Sequence, residues 1–456
     1  MKLEMKIVAA TIVLVCLCAI PVSADDVSLT VYNSNLGVVL EKRDLTFEKG
    51  AGRIGFTDVP SQIDATSVTF ELADASKSVD ILEQNYAYDL VSPDKIYSKF
   101  IDHTIEIISE KGELFSGKLL SFSGGYLVIE QPDGKIRSIL TSAVRDVTFP
   151  ELPEGLITRP TLFWKYQSDF AGTAMAKVGY QTTGINWHAE YVGVLSDNEK
   201  SLDLTGWVSI DNRSGKSYKD ATLKVVAGDI NRVSQPMADM VYGESMRTMA
   251  MAPKAAGFEE KAFFEYHLYT LPRKATVANN ETKQISMFEP ATTNVEKELR
   301  YNANPGNDKV NISLVMTNSE KVGLGMPLPA GRVRVFKADS DESLILLGED
   351  QIDHTPRNEE VKIKIGDAFD IVGETTEVSR RRISDKVTEF DYRIEIRNQK
   401  EDAARVIIEK MMGGFWEITN TSVDFVKKSS TKVEWTLDIP AEGKGVVDFT
   451  MRVTYR

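Results

Sequence analysis

The sequence predicts an all-β protein of several domains, built from antiparallel β-sandwiches with one small barrel-like module near the N-terminus. Two observations predict it. Apolar and polar residues alternate with period two along most of the chain, as at Leu202, Leu204, Gly206, Val208 and Ile210 against Asp203, Thr205, Trp207, Ser209 and Asp211. Such alternation marks half-buried strands, with one face packed and the other solvated, the usual pattern of antiparallel sheets. Turn sequences such as Asn212-Arg213-Ser214-Gly215, Asn304-Pro305-Gly306-Asn307 and Glu442-Gly443-Lys444-Gly445 separate the runs, as hairpin connections require.

Residues 1–24 read as a secretory leader. Lys2 and Lys6 outweigh Glu4, residues 7–20 form an uncharged apolar run, and Val22-Ser23-Ala24 after Pro21 offers a cleavage site following Ala24. A run of 14 residues is short for a membrane span, which needs about 20, so no stable span is expected after cleavage. Both cysteines, Cys16 and Cys18, lie in this leader. The exported chain would then have no disulfide, no thiolate metal site and no thiol nucleophile. The 67 acidic residues against 54 basic ones give a net charge of −13, which repels nucleic acid and anionic lipid.

After the leader, residues 25–98 form a strand-rich unit, alternating over 28–32 and 38–40 with a further strand at 67–72. Residues 99–150 contain five short strand-like stretches joined by Glu110-Lys111-Gly112, Gly124-Gly125 and Pro132-Asp133-Gly134. Closure into a small barrel would remove their exposed edges. The stretch Leu114-Phe115-Ser116-Gly117-Lys118-Leu119 resembles the second strand of SH3-like and Sm-like barrels. Residues 151–233 open a central β-sandwich after a linker with Pro150, Pro153 and Pro160. Residues 234–261 form a Met- and Ala-rich linker, 262–375 the second part of the sandwich, and 376–456 a C-terminal sandwich.

Several stretches resemble the bacterial domain of unknown function 4139 (DUF4139) family. They are Gly184-Ile185-Asn186-Trp187-His188-Ala189-Glu190-Tyr191, Leu204-Thr205-Gly206-Trp207 with Asn212-Arg213-Ser214-Gly215, residues 221–229, Phe264-Glu265-Tyr266-His267-Leu268-Tyr269 and Gly366-Asp367-Ala368-Phe369-Asp370. The resemblance spans about residues 173–455. It implies an exported protein rich in β-sandwiches, with no established activity and no catalytic residues to carry over. Many relatives begin with a coiled-coil-forming helical region, which this chain replaces with strands.

His188 and Glu190 are two apart on a strand and share a face, so they could share a metal or a proton. The pair falls short of the three or more ligands a metal site usually has, and the preferred reading is a polar strand face with a local hydrogen bond. His267 lies among Phe263, Phe264, Tyr266 and Tyr269, either sheet core or a sugar-stacking platform. Met237, Met240, Met246, Met249 and Met251 hold five of the chain's 14 methionines. Thioether sulfur suits Cu(I), although flexible packing uses methionine in the same way. Asp339-Ser340-Asp341-Glu342 lacks the glycine and distal glutamate of a calcium loop and reads as a solvated turn. Arg380-Arg381-Arg382 reads as a charged strand edge that resists aggregation.

No Gly-x-Ser-x-Gly elbow, His-Glu-x-x-His, phosphate loop or dinucleotide fingerprint occurs. The sequence therefore points to an exported, periplasmic or extracellular, non-catalytic binding or scaffolding protein. It would need no cofactor, and its β-sandwich surfaces would meet an envelope protein or glycan, with edge-strand addition as one mode. The alternatives are a carbohydrate-active hydrolase with paired carboxylates and copper handling by the Met cluster.

Overall fold

The computed structural model describes residues 26–151, 156–228, 230–231 and 258–455. Residues 1–24, read from the sequence as a leader, part of the 150–160 linker and the whole Met cluster lie outside these residues. Thirty strands, one α-helix and two short 3-10 turns make up the described elements, so the all-β fold follows the alternation. Most strand pairs are antiparallel; the pair of Asp26–Tyr32 with Tyr218–Ala227 is parallel, as is Ile185–Leu195 with Gly331–Ala338. Two compact units divide the chain, each discontinuous in sequence.

The smaller unit contains Leu40–Thr57 and Ser67–Gly179. Its three-stranded sheet sets Thr161–Ser168 between Gly50–Thr57 and Val79–Ala87. Leu162, Trp164 and Tyr166 alternate inward and are buried, whereas Lys165 and Gln167 face water. Trp164 packs on Phe56 and Phe70, and its indole N–H donates to Gln84 at 2.7 Å, so the largest core side chain keeps its polar atom satisfied. Residues 161–168 thus belong with the N-terminal strands, and the module at 99–150 is inserted between them.

That module is a five-stranded antiparallel sheet in the order Val144–Thr148, Thr104–Ser109, Leu114–Ser123, Tyr126–Glu130, Ile136–Leu140. Helix Pro93–Lys99 precedes it, started by a Ser92 side-chain cap and Pro93, an arrangement that supplies an acceptor and a preset φ at the first turn. Tyr97 of the helix stacks on Phe122 at 4.3 Å, over a core of Phe100, Ile105, Ile107, Leu119, Leu127, Ile129 and Ile139. Gly117 lets strands cross closely, since a Cβ there would lie 2.6 Å from the Glu130 carbonyl oxygen. The expected closed barrel is corrected: each end strand pairs with one neighbour only. Ile136–Leu140 buries Ile139 alone and leaves Ile136 and Leu140 exposed at the end of the sheet.

The larger unit contains Ser28–Val39, Asp58–Thr66 and Tyr180–Arg456. One sheet runs in the order Glu281–Ser286, Ser201–Asn212, Ile185–Leu195, Gly331–Ala338, Leu344–Ile352. Trp187 and Tyr191 of its third strand point inward; the Trp187 indole donates to the Val226 carbonyl at 2.9 Å and its ring lies 6.4 Å from Tyr269. Those contacts pack this sheet on Tyr218–Ala227 and Tyr266–Val277, a β-sandwich.

A nine-stranded sheet takes its strands from Glu296–Asn302, Lys309–Thr317 and Glu360–Ser384 through Lys444–Thr454. It therefore begins well before residue 376. Lys432–Ile439 and Lys444–Thr454 are consecutive but not neighbours, yet the Trp435 and Phe449 rings lie 4.9 Å apart. The sheet folds over itself to enclose a core with Tyr301, Ile394, Ile396, Val406 and Ile408. Three fully buried asparagines tie strand ends to loops. Asn212 donates to the Lys216 and Ala278 carbonyls, Asn318 to Met326 and Pro356, and Asn398 to Asp402 and Pro440, at 2.8–3.0 Å. Each satisfies backbone groups that would otherwise be buried unpaired.

Candidate binding surface

Strand alternation places His188 and Glu190 side by side with Trp187, Ala189 and Tyr191 buried behind them. The Glu190 carboxylate is buried, but it faces cations that enter from the neighbouring parallel strand. Arg332 reaches it in a fork at 2.8 and 3.2 Å, Arg334 at 2.8 Å and His188 Nε2 at 3.3 Å. Burial alone would push the carboxyl up; hydrogen bonds from His188 and Arg332 and the charges of both arginines outweigh it and hold it at about 2. Arg334 also pairs with Glu349 at 2.8 Å. Two guanidinium groups on one carboxylate repel a metal ion, so the pair acts as an ion-pair anchor between strands, on a polar strand face with local hydrogen bonds. Among the described residues, no group of three or more His, Cys, Asp or Glu is arranged to hold a metal.

The other sequence candidates divide in the same way. His267 Nδ1 pairs with Glu260 at 2.9 Å, and Arg357 reaches Glu260 at 3.4 Å. Tyr269 is core, whereas Phe263 and Phe264 stand exposed at the hairpin turn, with the Phe264 and Tyr266 rings tilted by 43°. Arg380, Arg381 and Arg382 pair with Glu377, Glu389 and Asp385 at 2.8–2.9 Å. They lie where Glu360–Ser384 has run past its pairing with Lys309–Thr317, on a strand edge. The Met cluster Met237, Met240, Met246, Met249 and Met251 lies outside the described residues.

The residues that sequence reading missed are Leu344, Ile345, Leu346 and Leu347. They begin Leu344–Ile352, the last strand of its sheet, and pair with Gly331–Ala338 on one side only. The strand's later part is covered, since a Cβ at Gly348 would meet the Ile365 carbonyl oxygen and Asp350 accepts from the Lys364 backbone N–H. The four apolar residues precede this cover and are 55, 51, 52 and 36% exposed. A register shift makes Leu347 the extra residue of a bulge. Their side chains leave apolar surface open on both faces of the strand, and exposed apolar surface of this kind is often functional. The signal in sequence is four consecutive apolar residues directly after a turn, a break in the period of two.

The acidic turn Asp339-Ser340-Asp341-Glu342 leads into this edge. Asp339 and Asp341 accept from the backbone N–H of Ser340 and Ser343 at 2.7 and 2.9 Å, the geometry of a tight solvated turn. Asp339, Asp341 and Glu342 have no cation partner among the described residues. No protein-family model and no curated protein matches the chain.

Proposed function

We propose that this chain is an exported, non-catalytic binding or scaffolding protein of the bacterial envelope, and that it takes an extended segment of a protein partner onto the sheet edge at 344–347. The observation that carries the reading is that edge: unpaired backbone groups flanked by four exposed apolar side chains. A free edge offers main-chain hydrogen bonds, and its side chains supply the specificity. Natural proteins guard such edges with charge or cover, as the arginines at 380–382 and the cover over Gly348 do elsewhere here. The N-terminal pattern supports export, and the resemblance to the DUF4139 family agrees with an envelope role.

A hydrolase with paired carboxylates needs one acid that stays protonated near neutral pH. Among the described residues every carboxyl with a displaced pKa is held down, Glu190, Glu199 and Glu434 included. Copper handling rests on methionines outside the described residues. Exposed Phe263 and Phe264 favour a second reading, in which the partner is a glycan stacked on those rings.

A photo-crosslinking residue at position 346, in the full chain expressed in its own cells, tests the leading reading. A control at Phe369, which is 94% exposed, reports chance contacts. One envelope protein joined at 346 and not at 369 is the expected result. Identical adducts at both positions, or none at 346, would overturn it.

A further inference from the structure

Resting on the edge reading, the charges around 344–347 say what kind of strand fits there. Asp339, Asp341 and Glu342 sit within five residues before Leu344, with no cation partner among the described residues. They form the turn that leads into the run, closed by the Asp339 N–H donating to the Ser343 carbonyl at 2.8 Å, so a strand laid along the run has one end beside them. Past the run, Glu349 has Arg334 at 2.8 Å and Asp350 accepts from the Lys364 backbone N–H at 2.6 Å, so most of the negative charge without a cation lies at the turn.

We infer that the occupant is an extended segment with apolar side chains along its length and lysine or arginine at the end that meets the turn. Apolar side chains on both faces of the edge strand accept apolar neighbours above and below the sheet plane, because successive residues of an added strand point to opposite faces. The basic end answers three carboxylates that have no other cation. A second copy of this chain fits poorly. Antiparallel pairing of 344–347 with itself would bring each acidic turn beside Glu349 and Asp350 of the other copy, and like charges across an interface are costly. The net charge of −13 adds to that repulsion.

Binding of labelled peptides to the full chain, read by fluorescence anisotropy, tests this. One peptide alternates valine and isoleucine, apolar on both faces, and carries two lysines, placed at either end to allow both strand directions; its counterpart carries two glutamates instead. The lysine peptide, in one of its two orientations, is expected to bind at least tenfold more tightly than the glutamate peptide at low salt. That preference should shrink in 0.5 M salt and disappear in the Asp341→Asn, Glu342→Gln variant. Equal binding of both peptides, lost in Leu346→Ser, would overturn the basic partner while leaving the edge reading intact. Lysine-peptide binding that survives Leu346→Ser and Ile345→Pro would overturn the edge itself. No binding of any peptide, or self-association abolished by Leu346→Ser, would overturn the inferred occupant.

Discussion

Replacing Glu190 with glutamine keeps the shape of the side chain and removes the charge on which Arg332, Arg334 and His188 converge. The carboxyl is held at about 2 against an ordinary 4.5, a preference for the charged form of about 3 kcal/mol. Breaking a buried pair costs about 3–5 kcal/mol when the stranded charge stays buried. Here the arginine side chains are 38 and 24% exposed, so water recovers part of the loss, and Glu349 still holds Arg334. The expected cost is about 2 kcal/mol at pH 7, read from urea unfolding of wild type and Glu190→Gln. A carboxyl with a depressed folded pKa contributes stability that is full above its unfolded value and vanishes as pH falls through the folded one. The gap between the two proteins should therefore hold above pH 4.5 and close towards pH 2. A variant within 0.5 kcal/mol of wild type at pH 7, or a gap that does not change between pH 5 and 2, would refute an anchoring role for Glu190.

Lys410 is buried in the folded-over sheet, with its ammonium donating to the Ala303 carbonyl at 2.9 Å and lying 4.4 Å from the Tyr392 ring centre. Burial pushes its pKa down, so Lys410→Met should be neutral or stabilising by about 1 kcal/mol. Relative to that variant, wild type should gain stability as pH rises towards 10.5, because the unfolded chain holds the proton longer; a destabilisation above 1 kcal/mol at pH 7 would contradict this. Asn318→Ala should cost about 2–3 kcal/mol, since the Met326 and Pro356 carbonyls and the Gly325 N–H lose their partner; thermal unfolding checks it. Gly373→Ala should cost about 1–3 kcal/mol, because the new Cβ would lie 2.2 Å from the buried Tyr301 ring, and Gly413→Ala, with no atom within 4 Å, is the control.

Period two made the strands legible, since Trp187, Ala189 and Tyr191 must bury one face whatever their partners are. It did not give sheet order. The parallel partner of Ile185–Leu195 begins at Gly331, and the cations on Glu190 arrive from more than 140 residues away; nothing in the local pattern of His188 and Glu190 announces them. The five strands at 104–148 were visible from their turns, but whether the two end strands meet depends on how the sheet curves, which the period of two does not carry. Asn212 was visible as a turn residue; its burial, and the matching roles of Asn318 and Asn398, depend on loops brought in by the fold. The run at 344–347 was plain in the sequence but reads as ordinary core until the topology puts its strand at a sheet end.

Backbone amide exchange on the full chain, with and without the lysine-bearing peptide at saturation, tests edge-strand addition most directly. An added strand turns free edge amides into hydrogen-bonded ones. Slower exchange is therefore predicted at alternate residues of 344–347, with the already paired strand Gly331–Ala338 unchanged. Unchanged exchange at 344–347 while the peptide is bound, or protection confined to another surface such as Phe263 and Phe264, would contradict it.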